Sequence, residues 1–440
     1  MKEDFLHWVW KNHYYDASTL NGSGNVQVEV IDPGMYNTDS GPDFFDTRLF
    51  IDGTQWAGNT EIHINSSDWF RHGHHTDKAY DNVILHLVWN NDSDVYTSSG
   101  RKILTLELKF RHELWDNYLE LVNSTSVIAC ADYMGRADPF FFNHWFRKLA
   151  LTRIERKSAE AEKIYVKTGK DWEETLYRLV SRYFGFRVNS DTFELLASRL
   201  PFKIIRKHAD NIVQAEALLY GTAGLLDAKL LSEAVTDGYY MVLCREYNVL
   251  SAKYSLKPLD GWTWKFHRLR PANFPTVRLS QLAALLTNGG GLFSAVLECR
   301  NVDELRRLFS VSASPYWDTH YNFGVAGGRS AKNTGKTSTD LLLINAIVPV
   351  LHLYGRQKGT EARLLQATDI LEALPPEENR LVEDFEKAGI KPESAYTSQA
   401  LIELRNHYCR MHYCLECHIG AAVISSGQEI RHSDSIFLEP

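Results

Sequence analysis

Cysteine is scarce in this chain: six in 440 residues, too few to act as a disulfide scaffold. Long apolar runs are missing as well. The most apolar stretch, Leu341 to Tyr354, is interrupted by Asn345, Pro349 and His352 and is too short to span a bilayer. The opening segment, Met1 to Tyr15, is aromatic, polar and charged, with no basic stretch leading into an apolar core, which argues against a signal peptide. These absences predict a cytoplasmic protein with no membrane association. An excess of positive charge is also lacking, since the net charge is −7, so nothing draws the whole chain toward nucleic acid.

The charge that is present is unevenly spread. Residues 1–125 carry nineteen Asp and Glu against nine Lys and Arg, a net of −10, which leaves about +3 for the rest. Hydrophobic periodicity changes at the same place. Alternating runs at Val26–Ile31, Phe44–Ile51, Gln55–Ile64, Val83–Trp89 and Ile103–Phe110 predict strands. Asp52-Gly53 between two of these runs is a hairpin signal. Phe5–Tyr15 is a short helical segment with Asp4 as its expected N-cap, and Asp77–Asp81 a helical turn.

Beyond Cys130, apolar residues three and four apart predict helices at Phe140–Tyr165, Asp171–Tyr183, Ser190–Arg199, Lys207–Leu226, Tyr239–Tyr247, Leu279–Leu286, Val302–Phe309, Thr339–Tyr354, Glu361–Leu374 and Ser398–Ile424. The expectation is an α+β protein: a mixed α/β domain over 1–125, then a larger, mainly helical domain over 126–440. The boundary falls between about 120 and 136.

The first domain holds the chemistry. Glu61 and His63 are two apart on a strand and share a face. Asp43, at the start of the preceding strand, can be brought beside them by the hairpin. Two converging carboxylates repel, and a divalent cation resolves the repulsion; oxygen ligands suit Mg²⁺ or Mn²⁺, which can activate water. A rival reading uses the histidines. His72-X-His74 with His75, joined by His63 or His86, has the ligand types for Zn²⁺ or Fe²⁺. In a purely structural reading Asp43, Asp68 and Asp77 cap turns and His86 is a hydrogen-bonded core residue.

Pro42-Asp43, an intervening hairpin and Glu61-X-His63 resemble the PD-(D/E)-X-K motif of restriction-endonuclease-like nucleases, and the order helix, three strands, short helix, strand fits that fold. The resemblance implies phosphodiester hydrolysis, with Asp43 and Glu61 as metal ligands and His63 standing where the family has lysine. A further acidic group would come from Glu29 or Glu3. An imidazole does not supply the fixed charge of an ammonium, so His63 departs from the pattern. Nearly end to end, the chain also resembles a bacterial family of unknown function known chiefly from Bacteroidetes. Gly41-Pro42-Asp43-Phe44, Trp56-X-Gly58, Glu61-Ile62-His63, Ser67-Asp68-Trp69, Tyr80 to His86, Leu269 to Pro275 and the late cysteines carry that resemblance, which implies no particular activity.

Two later features complete the expectations. Cys409-X4-Cys414-X2-Cys417 has the spacing of a zinc or iron–sulfur site, with Cys130 as the expected fourth ligand and His412 and His418 as local alternatives. The competing reading makes these cysteines inert residues on a helix; Cys244 and Cys299 are read as core. Between Arg245 and Arg278, seven basic residues face two acidic ones, with aromatics interleaved. Lys265, Arg268, Arg270 and Arg278 are the candidates for gripping a nucleic-acid strand. Gly335-Lys336-Thr337 imitates a P-loop ending, but its glycine spacing is wrong and no strand precedes it. The expected function is metal-dependent phosphodiester hydrolysis. The alternatives are a non-catalytic nucleic-acid or protein-binding scaffold and a histidine-liganded metal enzyme of other chemistry.

Overall fold

A computed structural model describes residues 1–22, 26–134, 139–227 and 237–426. The chain divides into two units, residues 1–137 with 405–440 and residues 138–404. The late cysteines, expected at the close of the helical domain, belong with the first unit. The upper end of the expected boundary, 135–136, lies outside the described residues.

The first unit is built on a mixed sheet. Helix α1 (Glu3–Lys11) precedes strands β1 (Val26–Asp32), β2 (Phe44–Ile51) and β3 (Thr54–Asn65). A short helix, α2 (Asp68–Arg71), leads through two single turns to β4 (Val83–Asn90), and β5 (Leu104–Glu107) and α3 (His112–Asn123) follow. Lys2, not Asp4, stands at the N-cap of α1, and Asp4 lies in its first turn. The sheet order is β1-β2-β3-β4-β5, with two-residue strands at Asn21–Gly22 and Met35–Tyr36 added beside β1 and β2. β1, β2 and β3 run antiparallel, while β3, β4 and β5 are parallel to one another. The hairpin register pairs Ile51 with Thr54 across Asp52-Gly53, as the dipeptide predicts.

Alternation decides what each face carries. Ile62, Leu85, Leu87 and Leu106 point into a core completed by Phe5, Leu6, Val9 and Trp10 of α1 and by Leu114, Tyr118 and Leu121 of α3. Each fully buried large apolar side chain contributes roughly 1.5–3 kcal/mol. The spacing of the α3 residues is that of one helical stripe, so α3 closes the sheet as α1 does. Trp69, Tyr80, Val83, Val95 and Ile103 form a second, smaller core. Glu61, His63 and His86 alternate out of phase with the large core, and Glu61 and His86 are register partners on adjacent parallel strands.

Among the described residues, the second unit is mainly helical, with a two-stranded hairpin at His320–Asn322 and Val325–Ala326. Its longer helices include α4 (Pro139–Lys167), α5 (Trp172–Phe184), α6 (Phe186–Arg199), α7 (Ile212–Thr222), α8 (Gly238–Tyr254) and α9 (Pro275–Leu286). The helix expected over Lys207–Leu226 is shorter, Ile212–Thr222, because Asn211 caps a later start by accepting from Val213 and Gln214 N–H. The helical run Lys336–Lys358 is longer than its apolar centre predicts. It is long and apolar enough to cross a membrane, and 72% of its most apolar window is buried within the protein. A wider turn, Leu343–Ile347, interrupts its regular α geometry. The single helix expected over Ser398–Ile424 is broken between His407 and His418, and the late cysteines occupy the break.

Candidate metal centre

The site lies where β2 begins and β3 continues toward α2. Asp43 sits immediately before β2. Its N–H donates to Glu61 Oε2 at 3.1 Å, and its Oδ2 accepts from Ile62 N–H at 2.8 Å. These two bonds pin the motif's acidic residues side by side. From α1, His7 Nε2 reaches to 3.2 Å from the same Asp43 oxygen. Burial works against a charged His7, but the contact with Asp43 outweighs it and holds the imidazole above its ordinary value.

Chain reversal after α2 brings the histidines over the end of β3. The α2 turn is fixed by Asp68, which accepts from Asn65 N–H at 3.0 Å and pairs with Arg71 at 3.0 Å. Asp77 caps the next turn through Ala79 N–H. For Asp68 and Asp77 the turn-capping reading therefore describes their bonds. Between these turns His72 and His74 arrive beside His63, and the ligand nitrogens of all three lie within 4.8 Å of one another. His74 stacks on Tyr80 with ring centroids 3.7 Å apart, which fixes its plane.

Three distances describe how closely these groups approach. His63 Nε2 is 3.0 Å from His72 Nδ1 and 3.5 Å from Glu61 Oε1, and His74 Nε2 is 3.2 Å from Glu61 Oε1. Four ligands about 2.0–2.1 Å from one ion in a tetrahedron are separated by roughly 3.3–3.4 Å. His74 Nε2 is buried without a hydrogen bond, despite its closeness to the carboxylate. An orphaned nitrogen facing a carboxylate oxygen at poor hydrogen-bond angle fits two ligands of a common cation. The opposite nitrogen of His63 meets His86 Nε2 at 2.9 Å, and His86 Nδ1 lies 3.5 Å from Thr105 Oγ1. That relay suits an outer partner that fixes the ring and tautomer of a ligand.

The surroundings of these groups are acidic. A cavity of about 460 Å³ is lined by Glu3, Asp39, Asp43, Glu61 and Asp77 together with His63, His72, His74 and Tyr80, and among the described residues no Lys or Arg lines it. Burial, and then the Asp43 charge, raise the Glu61 carboxyl well above its usual range. Burial and the neighbouring rings His86, His74 and His72 push His63 far down; burial chiefly takes His86 to about 3 and lowers His74. These imidazoles are therefore neutral at neutral pH and keep lone pairs for a metal.

The sequence candidates divide accordingly. Asp43, Glu61, His63, His72 and His74 converge on one cavity, while His86 stands behind His63. His75 packs its ring against Phe70 and does not line the cavity. Of the two further acidic candidates Glu3 lines the cavity, whereas Glu29 is exposed on β1. Sequence alone does not mark His7 or Tyr80 as part of the site; only the folded positions of α1 and the turn after α2 reveal them. In the second unit Lys265, Arg268 and Arg270 are exposed, but Arg278 is buried.

Fold and site together define a mixed α/β protein with a helical second unit and a three-histidine, one-carboxylate candidate metal centre. The chain belongs to a family of proteins of unknown function, DUF2851, whose model matches residues 3–380. Comparison with curated proteins and with solved structures finds no match.

Proposed function

We propose that this protein is a divalent-metal-dependent phosphodiesterase acting on nucleic acid, with Glu61, His63, His72 and His74 holding the ion and Asp43 beside it. The convergence of three imidazole nitrogens within 4.8 Å of one another, with a Glu61 carboxylate oxygen 3.5 Å and 3.2 Å from two of them, carries the reading. Three nitrogen donors favour Mn²⁺, Fe²⁺ or Zn²⁺ over Mg²⁺. This merges the nuclease-like and histidine-metal readings, because both sets of residues share one cavity. The scaffold reading leaves an acidic, histidine-lined pocket without purpose.

A bound ion supplies Lewis acidity and makes a coordinated water acidic. The chain's own residues then divide the work. His63, with ring neighbours at both nitrogens, is ill placed as a base and would serve as a ligand. Asp43 borders the cavity, with its backbone fixed against Glu61 and its carboxylate braced by His7, and is the group to accept a proton from the attacking water. Glu61 would hold the ion through one oxygen while its Oε2 accepts from the Asp43 N–H, which ties the two acidic residues together.

Support for a phosphodiester substrate comes from the motif and its setting. The Pro42-Asp43 and Glu61-X-His63 segments lie on neighbouring antiparallel strands, the second parallel to β4, in the element order of the resembled nucleases. Exposed Lys265, Arg268 and Arg270 lie near Trp262, which is 78% exposed, a combination suited to a strand's phosphates and bases. The test is to strip the protein of metal, add back Mn²⁺, Zn²⁺ or Mg²⁺ separately, and assay cleavage of DNA and RNA. One Mn²⁺ or Zn²⁺ per chain that is lost in His63→Ala/His74→Ala, with cleavage lost in Asp43→Ala, is expected. Metal bound without cleavage of either polymer overturns the substrate, and no bound ion overturns the centre.

A further inference from the structure

A second cluster of metal-ligating side chains lies in the first unit, apart from the histidine cavity. We propose that Cys130, Cys409, Cys414 and Cys417 form a four-thiolate centre for a thiophilic metal, either a single zinc ion or an iron–sulfur cluster.

Placement is the first argument. Cys130 and Cys409 are separated by 279 positions in the chain, yet each of the four thiols lies within electrostatic range of the other three. Cys130 and Cys414 both pack against the core formed by α1, the sheet and α3. Cys417 is 6% exposed and the other three are half-buried. All four are in the thiol form rather than in disulfides. Four thiols gathered from two distant segments are a standing set of soft ligands.

Backbone shape is the second argument. Residues 398–424 have the periodicity of one helix, yet the helix stops at His407. Cys409–Met411 form a single tight turn, His412 takes a left-handed φ of 54°, and a new helix begins at His418 with Cys417 as its N-cap. The inert-helix reading requires the cysteines to lie on a helix, and they do not. Their loop is instead folded tightly on itself. Tyr413 N–H donates to Tyr408 O at 3.0 Å and Cys417 N–H to Tyr413 O at 3.2 Å. A Cβ at Gly420 would sit 2.2 Å from Cys414 O, so the new helix lies directly against the cysteine loop. Opposite, Met134 N–H donates to Cys130 O at 3.1 Å and starts the short helix after Cys130.

A metal brings four thiols together only as thiolates. Thiols become ligands by releasing their protons to solvent as the ion binds, and the ion supplies counter-charge for the thiolates. Arg405 lies within range of Cys409 and offsets the net negative charge a four-thiolate centre carries. Such a centre cross-links the segment around Cys130 to the C-terminal segment, closing a very long loop.

The test uses the full chain purified without oxygen, with zinc, iron and sulfide measured beside the visible spectrum. Variants Cys130→Ser and Cys414→Ser are compared with Cys244→Ser and with the double variant His63→Ala/His74→Ala. The expected result is one zinc, or one iron–sulfur cluster with its broad visible absorption, present in the histidine double variant and in Cys244→Ser and lost in Cys130→Ser and Cys414→Ser. Zinc and iron outcomes both support the centre and decide its occupant. Metal content unchanged in Cys130→Ser and Cys414→Ser overturns it. If those variants do not fold, the unmodified protein is treated with a thiol reagent with and without a strong chelator. Four cysteines protected until the chelator acts support the centre; six reacting alike in both conditions overturn it.

Discussion

Asp43 and Glu61 are joined through the backbone: the Asp43 N–H donates to Glu61 Oε2 at 3.1 Å, while Asp43 Oδ2 accepts from the N–H of the residue after Glu61 at 2.8 Å. A substitution that keeps the backbone therefore keeps the Glu61 bond and removes the carboxylate alone. Asp43→Ala is expected to abolish hydrolysis and to lower stability by about 1–3 kcal/mol, the cost of leaving the Ile62 N–H without its acceptor. Asp43→Asn, which retains an acceptor, should recover most of that stability and none of the activity. Denaturant unfolding and turnover measured on both variants separate the two roles; an active Asp43→Asn refutes the base assignment.

Metal affinity should follow distance from the shared point. His63→Ala and His74→Ala each delete a nitrogen at that point and should abolish tight binding of Mn²⁺ or Zn²⁺. His86→Ala removes only the partner of His63 Nδ1, and a loss of roughly 10–100-fold is expected. His75→Ala, whose ring packs on Phe70, should bind as the unmodified protein does. Calorimetric titration of the four variants gives the order directly, and equal losses at His75 and His74 contradict the assignment.

How much of this is readable before folding differs between elements. β2, β3 and β4 are legible because a sheet buried on one face writes its alternation into the chain, and Asp52-Gly53 marks the hairpin. The pairing of Glu61 with His63 comes from the same period. The arrival of His72 and His74 does not, because it depends on how α2 and the turn after it fold back over β3. Helix α3 escapes a reading by periodicity although Leu114, Tyr118 and Leu121 carry its stripe, because it starts five residues after β5 ends and is polar elsewhere. The break before His418 is hidden by apolar residues that continue the helical period while His412 turns left-handed.

Arg278 shows how composition misleads where burial decides. Within a basic stretch it looks like a phosphate ligand, but it is 5% exposed and lies over the Phe186 ring, donating to Gln281, Asn273 and Ser338 side chains. Burial lowers its guanidinium to about 10. Arg278→Met should destabilise the second unit, by about 2–4 kcal/mol from lost charge-assisted bonds and unsatisfied partners. The triple change of exposed Lys265, Arg268 and Arg270 to Ala should leave the unfolding midpoint within a degree or so of its original value. If that surface holds nucleic acid, the triple variant should also show a shallower salt dependence of binding, by roughly 0.7–0.9 in log–log slope for each phosphate it no longer neutralises. Melting curves and salt-titrated binding read both effects.

Lys157 makes the stability of the second unit depend on pH. It projects from α4, donates through Nζ to Asn345 Oδ1 in the wider turn Leu343–Ile347, and lies 5.5 Å from the centre of the Tyr183 ring. Burial, and next the charge of Arg153, lower its amine from 10.5 to about 7. Between those two values the unfolded chain holds a proton that the folded chain does not. Stability must therefore rise with pH across that window and lose this dependence below about 7, where both states are protonated. Each unit of difference corresponds to about 1.36 kcal/mol as an upper bound, so the effect amounts to a few kcal/mol at most. Lys157→Met removes the titration along with the bond to Asn345. The stability of the unmodified protein minus that of the variant is thus expected to grow from pH 7 to pH 9.5, whatever its sign at pH 7. Denaturant midpoints for both proteins at several pH values in that window give the difference, and a flat line would show that the Lys157 amine titrates near its ordinary value.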